Sequence, residues 1–193
     1  MELQHFLQSL RQKGFPFKKG ERFFTIPGLK CRATTLGVGV DLFQKKYSYL
    51  FETQDFSQIQ NTILLGAAGS LGNHTDIGTV GRVEELVDSH GGSLWTGIGK
   101  RKVLNLPGFK VCQVEVPITK GVDATALRES SGADVVTMES LVFQSLSKEF
   151  GVPVMELRAV TDHCDEVDKV FAQNLPLAMN AMTNTALEQL LLT

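Results

Sequence analysis

The chain has 193 residues, enough for one domain (1–193) with a sizeable core, and is 42% apolar and 21% charged, a globular composition. Its net charge of −2 argues against nucleic acid as a partner, because such domains usually carry a basic surplus. No apolar run has the length of a membrane span, and the N-terminal MELQHFLQSLRQKG lacks the basic-then-apolar pattern of a signal peptide.

Leu3, Phe6, Leu7 and Leu10 fall at helical spacing, so residues 2–12 read as an amphipathic helix stopped by Gly14. Residues 22–26 and 31–36 flank a Pro-Gly pair and read as a hairpin. A helix is expected over 39–53, then a short buried strand, 61–65, ending in the glycine-rich loop GAAGSLG. Residues 77–87 suggest a strand with one exposed face, 88–109 an irregular loop, and 111–118 an alternating strand. Residues 123–130 read as a short helix with Asp123 as its N-cap. Then follow strand 133–137, helix 139–150, strand 154–160 and a helical segment over 165–192, in which Pro176 should kink the helix or start a new one. The three cysteines, Cys31, Cys112 and Cys164, lack CxxC spacing and read as reduced thiols of a cytoplasmic protein.

This order implies an α/β sandwich around a mixed central sheet, and such sheets bind ligands at the carboxyl ends of strands. Three ends stand out: Gly66–Gly72, Met138–Glu139 and Thr161–Asp162. Glu139 is either a helix N-terminal acid steadied by the macrodipole or a carboxylate able to bridge two vicinal sugar hydroxyls. Asp162 is either an N-cap or a general acid that Thr161 orients by a hydrogen bond. GAAGSLG is neither a dinucleotide fingerprint nor a P-loop. It is a tight turn or, at Ala67 and Gly69, exposed backbone with room for a ligand. Adjacent His163, Cys164 and Asp165 diverge and have no second ligand pair, so no metal is expected.

Together, "GAAGSLG", "GADVVTMES" and "GVPVMELRAVTDHCD" resemble the purine nucleoside phosphorylase/nucleosidase superfamily, and within it the methylthioadenosine/S-adenosylhomocysteine nucleosidases and futalosine hydrolases. The resemblance is strongest over residues 130–193 and weakest over 86–110. It implies a three-layer α/β/α sandwich with a mixed central sheet, a homodimer, a nucleoside substrate and no cofactor. It also implies roles. Met138 would pack on the ribose, Glu139 would hold its 2′- and 3′-hydroxyls, and Asp162 would protonate N7 of the purine. Ile118 would lie beside the base, with Pro117 before it where the nucleosidases usually have a stacking aromatic residue. Val38 and Phe171 would line the pocket for the 5′-substituent. Phosphorylases of this superfamily carry an arginine just before the glycine stretch. Here the corresponding stretch is Ile63-Leu64-Leu65-Gly66-Ala67, apolar or small at the positions of that arginine and of the loop serine such enzymes also carry, which points to water as the nucleophile.

Relatives of this kind begin with an apolar strand that leads to a water-activating Glu. This chain starts at what resembles the following helix, so the fold is expected without its first strand and Glu2 is the candidate base. The implied activity is hydrolysis of the N-glycosidic bond of a 5′-methylthioadenosine/S-adenosylhomocysteine-type nucleoside. A futalosine hydrolase and a non-catalytic nucleoside-binding relative remain the alternatives.

Overall fold

The computed structural model describes residues 2–21, 23–36, 39–53, 62–72, 75–97, 106–152, 154–164 and 167–191. Helix α1 (Glu2–Gln12) buries Phe6, Leu7 and Leu10 against α5 (Val167–Leu191) and against a small antiparallel sheet. That sheet, β1 (Lys18–Lys19), β2 (Phe24–Ile26) and β3 (Cys31–Ala33), enlarges the expected hairpin by one strand. The Pro-Gly pair forms a single 3-10 turn, closed by Lys30 in the left-handed region at φ 49°. Next comes α2 (Val40–Thr53).

The main sheet contains β4 (Thr62–Ser70), β5 (Val80–Val87), β6 (Ser93–Thr96), β7 (Gly108–Gln113), β8 (Val135–Thr137) and β9 (Val154–Asp162), in the order β6-β5-β7-β8-β4-β9. β5–β7, β7–β8 and β4–β9 are parallel, whereas β5–β6 and β4–β8 are antiparallel. β5 also pairs antiparallel with β9, so the sheet curls until it closes on itself. Its interior holds Ala68, Val83, Phe109, Val111, Val135 and Val160.

Alternation along β4 sets the layers. Ile63 and Leu65 pack toward α5 and α1, while Leu64 packs toward α2 and α4 (Ser140–Glu149) through Phe43, Tyr47 and Phe143. α3 (Gly121–Ser131) covers β8 through Ala124 and Val136. This is the expected α/β/α arrangement around a mixed sheet. No described helix is long and apolar enough to cross a membrane.

Several boundaries differ from the sequence expectation. GAAGS is the second half of β4 rather than a loop, because small residues leave room for side chains of the neighbouring strand. β6 lies inside the stretch expected to be irregular. β7 ends at Gln113, not 118: Pro117 has no N–H for a ladder, and Val116 is 67% exposed. β5 exposes only Glu84 along its length, not a whole face. Lys120, not Asp123, is the N-cap of α3, and Asp123 sits in the first turn. α5 runs unbroken through Pro176, an exposed position where water can reach the carbonyl that the proline leaves unbonded.

Candidate active site

Glu139 occupies the N-cap position of α4, where its carbonyl accepts the Phe143 N–H at 3.0 Å. Its carboxylate makes no capping hydrogen bond to its own helix. Instead Oε1 accepts the backbone N–H of Gly39 at 2.9 Å, from the entry to α2 a hundred residues away. Oε2 lies 3.8 Å from Nη1 of Arg158, with the Glu139 side chain 14% exposed. A carboxylate that only capped its helix would turn back to the first free N–H groups of α4. This one turns to other elements.

The turn before α4 is held from below by Gln113, the last residue of β7. Its Nε2 donates to the carbonyls of Met138 and, at 3.2 Å, Val114, and its Oε1 accepts the N–H of Leu141 at 3.1 Å. One amide thus fixes both sides of Glu139.

Arg158 reaches this turn by crossing β4. It pairs in register with Gly66, and a Cβ on Gly66 would collide with its guanidinium. Nη1 donates to the Ala67 carbonyl at 3.1 Å, Nη2 to Ser140 Oγ at 3.1 Å and Nε to Glu156 Oε1 at 2.7 Å. Glu156 also accepts Ser140 Oγ–H and, at 2.9 Å, Gln144 Nε2–H. Arg158 was visible in the sequence only as a member of the RAVTD motif, and Glu156 as part of an apolar run. The signal for both was two charges of opposite sign, two residues apart, inside a buried strand.

Asp162 ends β9, and a bulge aims it. Ala68 pairs with Val160 but Gly69 pairs with Asp162, so Thr161 is the extra residue. The slip turns Asp162 away from the face that Arg158 shares with Gly66 and onto Gly69, where a Cβ would come 3.1 Å from Oδ1 and 2.6 Å from Cys164 Sγ. Thr161 Oγ1 donates to Asp162 Oδ2 at 2.8 Å. The Cys164 N–H donates to Oδ1 at 2.9 Å. The carboxyl is 4% exposed. Asn174 of α5 secures the same strand end through the Thr161 carbonyl at 3.0 Å.

Gly66 and Gly69 therefore mark two stations on one strand, ~10 Å apart along its axis. Glu139, Arg158, Ala67 and Met138 gather around the first, and Asp162, Thr161 and Cys164 around the second. Ile118 packs against the cluster of Leu71, Val87, Cys112, Ala124, Ala133, Val136 and Cys164. Phe171, half-buried on α5, packs against the core cluster that α5 and β9 share. Val38 and the Glu2 side chain lie outside the described residues. Among the described residues, no group of three His, Cys, Asp or Glu could hold a metal. A surface hollow lined by Lys13, Phe15, Asn184 and Leu187 lies about 15 Å along α5 from Asn174 and contains none of these groups.

No protein-family model matches the chain, and no curated protein does. Solved structures do. The Helicobacter pylori 5′-methylthioadenosine/S-adenosylhomocysteine nucleosidase, solved with butyl-thio-DADMe-Immucillin-A, superposes with a TM-score of 0.78 over 98% of this chain and 94% of its own, at 16% identity. The chain has the nucleosidase fold. A futalosine hydrolase mutant of Helicobacter pylori gives a TM-score of 0.73 over 97% and 94% of the two chains, at 16% identity. The Neisseria meningitidis nucleosidase, in complex with methylthio-immucillin-A, gives 0.70 over 96% and 94%, at 17% identity. The superpositions cover nearly the whole chain, well beyond residues 130–193 where the sequence resemblance is strongest.

Proposed function

We propose that residues 1–193 act as one nucleosidase domain that hydrolyses the N-glycosidic bond of a purine nucleoside of the 5′-methylthioadenosine/S-adenosylhomocysteine type. The observation that carries this reading is the turning of Glu139 away from its own helix, toward Gly39 and Arg158, while Asp162 is held at the end of β9, one strand beyond β4.

In this mechanism Glu139 accepts hydrogen bonds from the 2′- and 3′-hydroxyls, with Met138 against the ribose. Asp162 gives its proton to N7. The C1′–N9 bond then breaks, its electron pair passes into the purine, and the sugar becomes an oxocarbenium-like cation stabilised by the nearby carboxylate. Water attacks C1′ and loses a proton to a base, for which Glu2 is the candidate. Ile118 borders the purine, Val38 and Phe171 border the 5′-substituent, and Ala67 and Gly69 bring the β4 backbone to the site, with the space over Gly69 taken by Asp162 and Cys164. Water rather than phosphate is favoured by the apolar Leu64 and Leu65 before the glycines. It is favoured too by the engagement of Arg158 with Glu156, Ser140 and Ala67, which leaves it poorly placed to clasp a phosphate dianion. The free thiols suit a cytoplasmic setting, and the resemblance suggests a homodimer.

The test is a panel assay for free base released from methylthioadenosine, S-adenosylhomocysteine and futalosine without added phosphate. Glu139→Gln and Asp162→Asn should each lower release on the order of a hundredfold or more. Turnover confined to futalosine identifies a futalosine hydrolase, toward which the ELRAVTD wording leans slightly, whereas Asp rather than Asn at 162 leans toward the methylthioadenosine type. Binding without turnover of any of the three identifies a non-catalytic relative. Full activity in both variants rejects the mechanism.

A further inference from the structure

Arg158 stands between two carboxylates and treats them unequally. It donates to Glu156 through Nε at 2.7 Å, but its nearest approach to Glu139 is 3.8 Å, beyond hydrogen-bond range. Glu156 is 1% exposed and lies on a central strand, where a carboxylate needs a specific set of donors. It has them: Arg158 Nε–H and Ser140 Oγ–H on Oε1, Gln144 Nε2–H on Oε2. Thr137, at the end of β8, shares a further hydroxyl contact with Ser140. Donors from α4 and β9, with Thr137 of β8 behind Ser140, therefore hold one buried acid that the proposed mechanism does not use.

The consequence follows from the geometry of a guanidinium. Its donors form a planar fork that pairs readily, edge-on, with a carboxylate. Without Glu156, the nearest partner for that fork is Glu139. We propose that Glu156 is a positioning residue: it holds Arg158 by Nε, so that the guanidinium stays beside Glu139 without closing on it. Oε2 of Glu139 is thereby kept free of a short hydrogen bond from Arg158 and can serve substrate hydroxyls. Ser140 is the hinge of this arrangement, because its one oxygen donates to Glu156 and accepts from Arg158 Nη2. The inference rests on the nucleosidase reading for what Glu139 binds, but not for how Arg158 is held.

Two measurements separate those parts. Calorimetry would compare 5′-methylthioadenosine with its 2′,3′-dideoxy analogue on wild type and Glu156→Gln. The variant should bind the hydroxylated nucleoside about tenfold more weakly or worse, and the dideoxy analogue within twofold of wild type. Equal losses for both ligands, or none for either, overturn the proposal. Ser140→Ala, a milder change, should give the same selective loss at about fivefold and replaces Glu156→Gln if that variant does not fold. The second measurement is hydrogen exchange at the Arg158 Nε–H, followed by arginine-labelled NMR. Exchange should be slow in wild type and at least tenfold faster in Glu156→Gln, with Glu139→Gln unchanged. An unchanged rate in Glu156→Gln refutes the positioning role whatever the protein binds. A wild type that binds no nucleoside defeats the nucleosidase reading while this exchange result still decides how Arg158 is held.

Discussion

Gly66 and Gly69 give β9 access to β4. Each lacks the Cβ that would otherwise fill the surface its neighbour lies on: the Arg158 guanidinium over Gly66, Asp162 and Cys164 over Gly69. Gly66→Ala is expected to displace Arg158 from Ser140 and Ala67, with a stability loss of about 1–3 kcal/mol from overpacking. Base release should fall at least as much as in Glu139→Gln, since both changes disturb the same station. Denaturant unfolding and the nucleoside panel check the two effects, and a variant indistinguishable from wild type would contradict the close approach. At this scale the acids at strand ends were legible from sequence, because an acid after a buried run is conspicuous. The glycines were legible only as a loop, since nothing local distinguishes a bare strand from a turn.

The α2–α4 pair shows how elements are set against one another. Phe43, Tyr47, Phe143 and Leu146 form their shared core, and the Tyr47 hydroxyl meets Ser147 Oγ at 2.8 Å. Burial pushes the Tyr47 phenol up from 10 to about 12, only partly countered by Ser147. The folded chain therefore keeps a proton that the unfolded chain has already lost above pH 10. Stability from this group is complete below pH 10 and is lost as pH rises toward 12, by about 3 kcal/mol in total. Urea titrations at pH 9, 10 and 11 should show Tyr47→Phe losing less stability than wild type over that interval. Parallel curves would mean that the phenol is not protected in this way. The helices themselves were legible from periodicity. Their partners were not, because an amphipathic stripe specifies that a face is buried and not what buries it.

Across the whole molecule, β9 is the organising strand. It pairs with β4 on one side and β5 on the other, and α5 packs along it. Leu157, fully buried against Val80, Leu175, Met179 and Met182, sits at this junction. Leu157→Ala should cost about 2–5 kcal/mol in urea unfolding, with the m-value unchanged. A loss under 1 kcal/mol would mean that the α5–β9 seam carries little of the stability. Local pattern determined the alternation of helices and strands, the mixed sheet and the strand ends at Met138–Glu139 and Thr161–Asp162, because burial, turn chemistry and spacing are properties of short stretches. Tertiary structure alone decided the closure of β5 on β9, the bulge that turns Asp162 onto Gly69, and the passage of Arg158 over Gly66 to Glu139. Each depends on register between strands far apart in the chain, and a one-residue slip, invisible in local composition, exchanges the faces on which the charged groups stand.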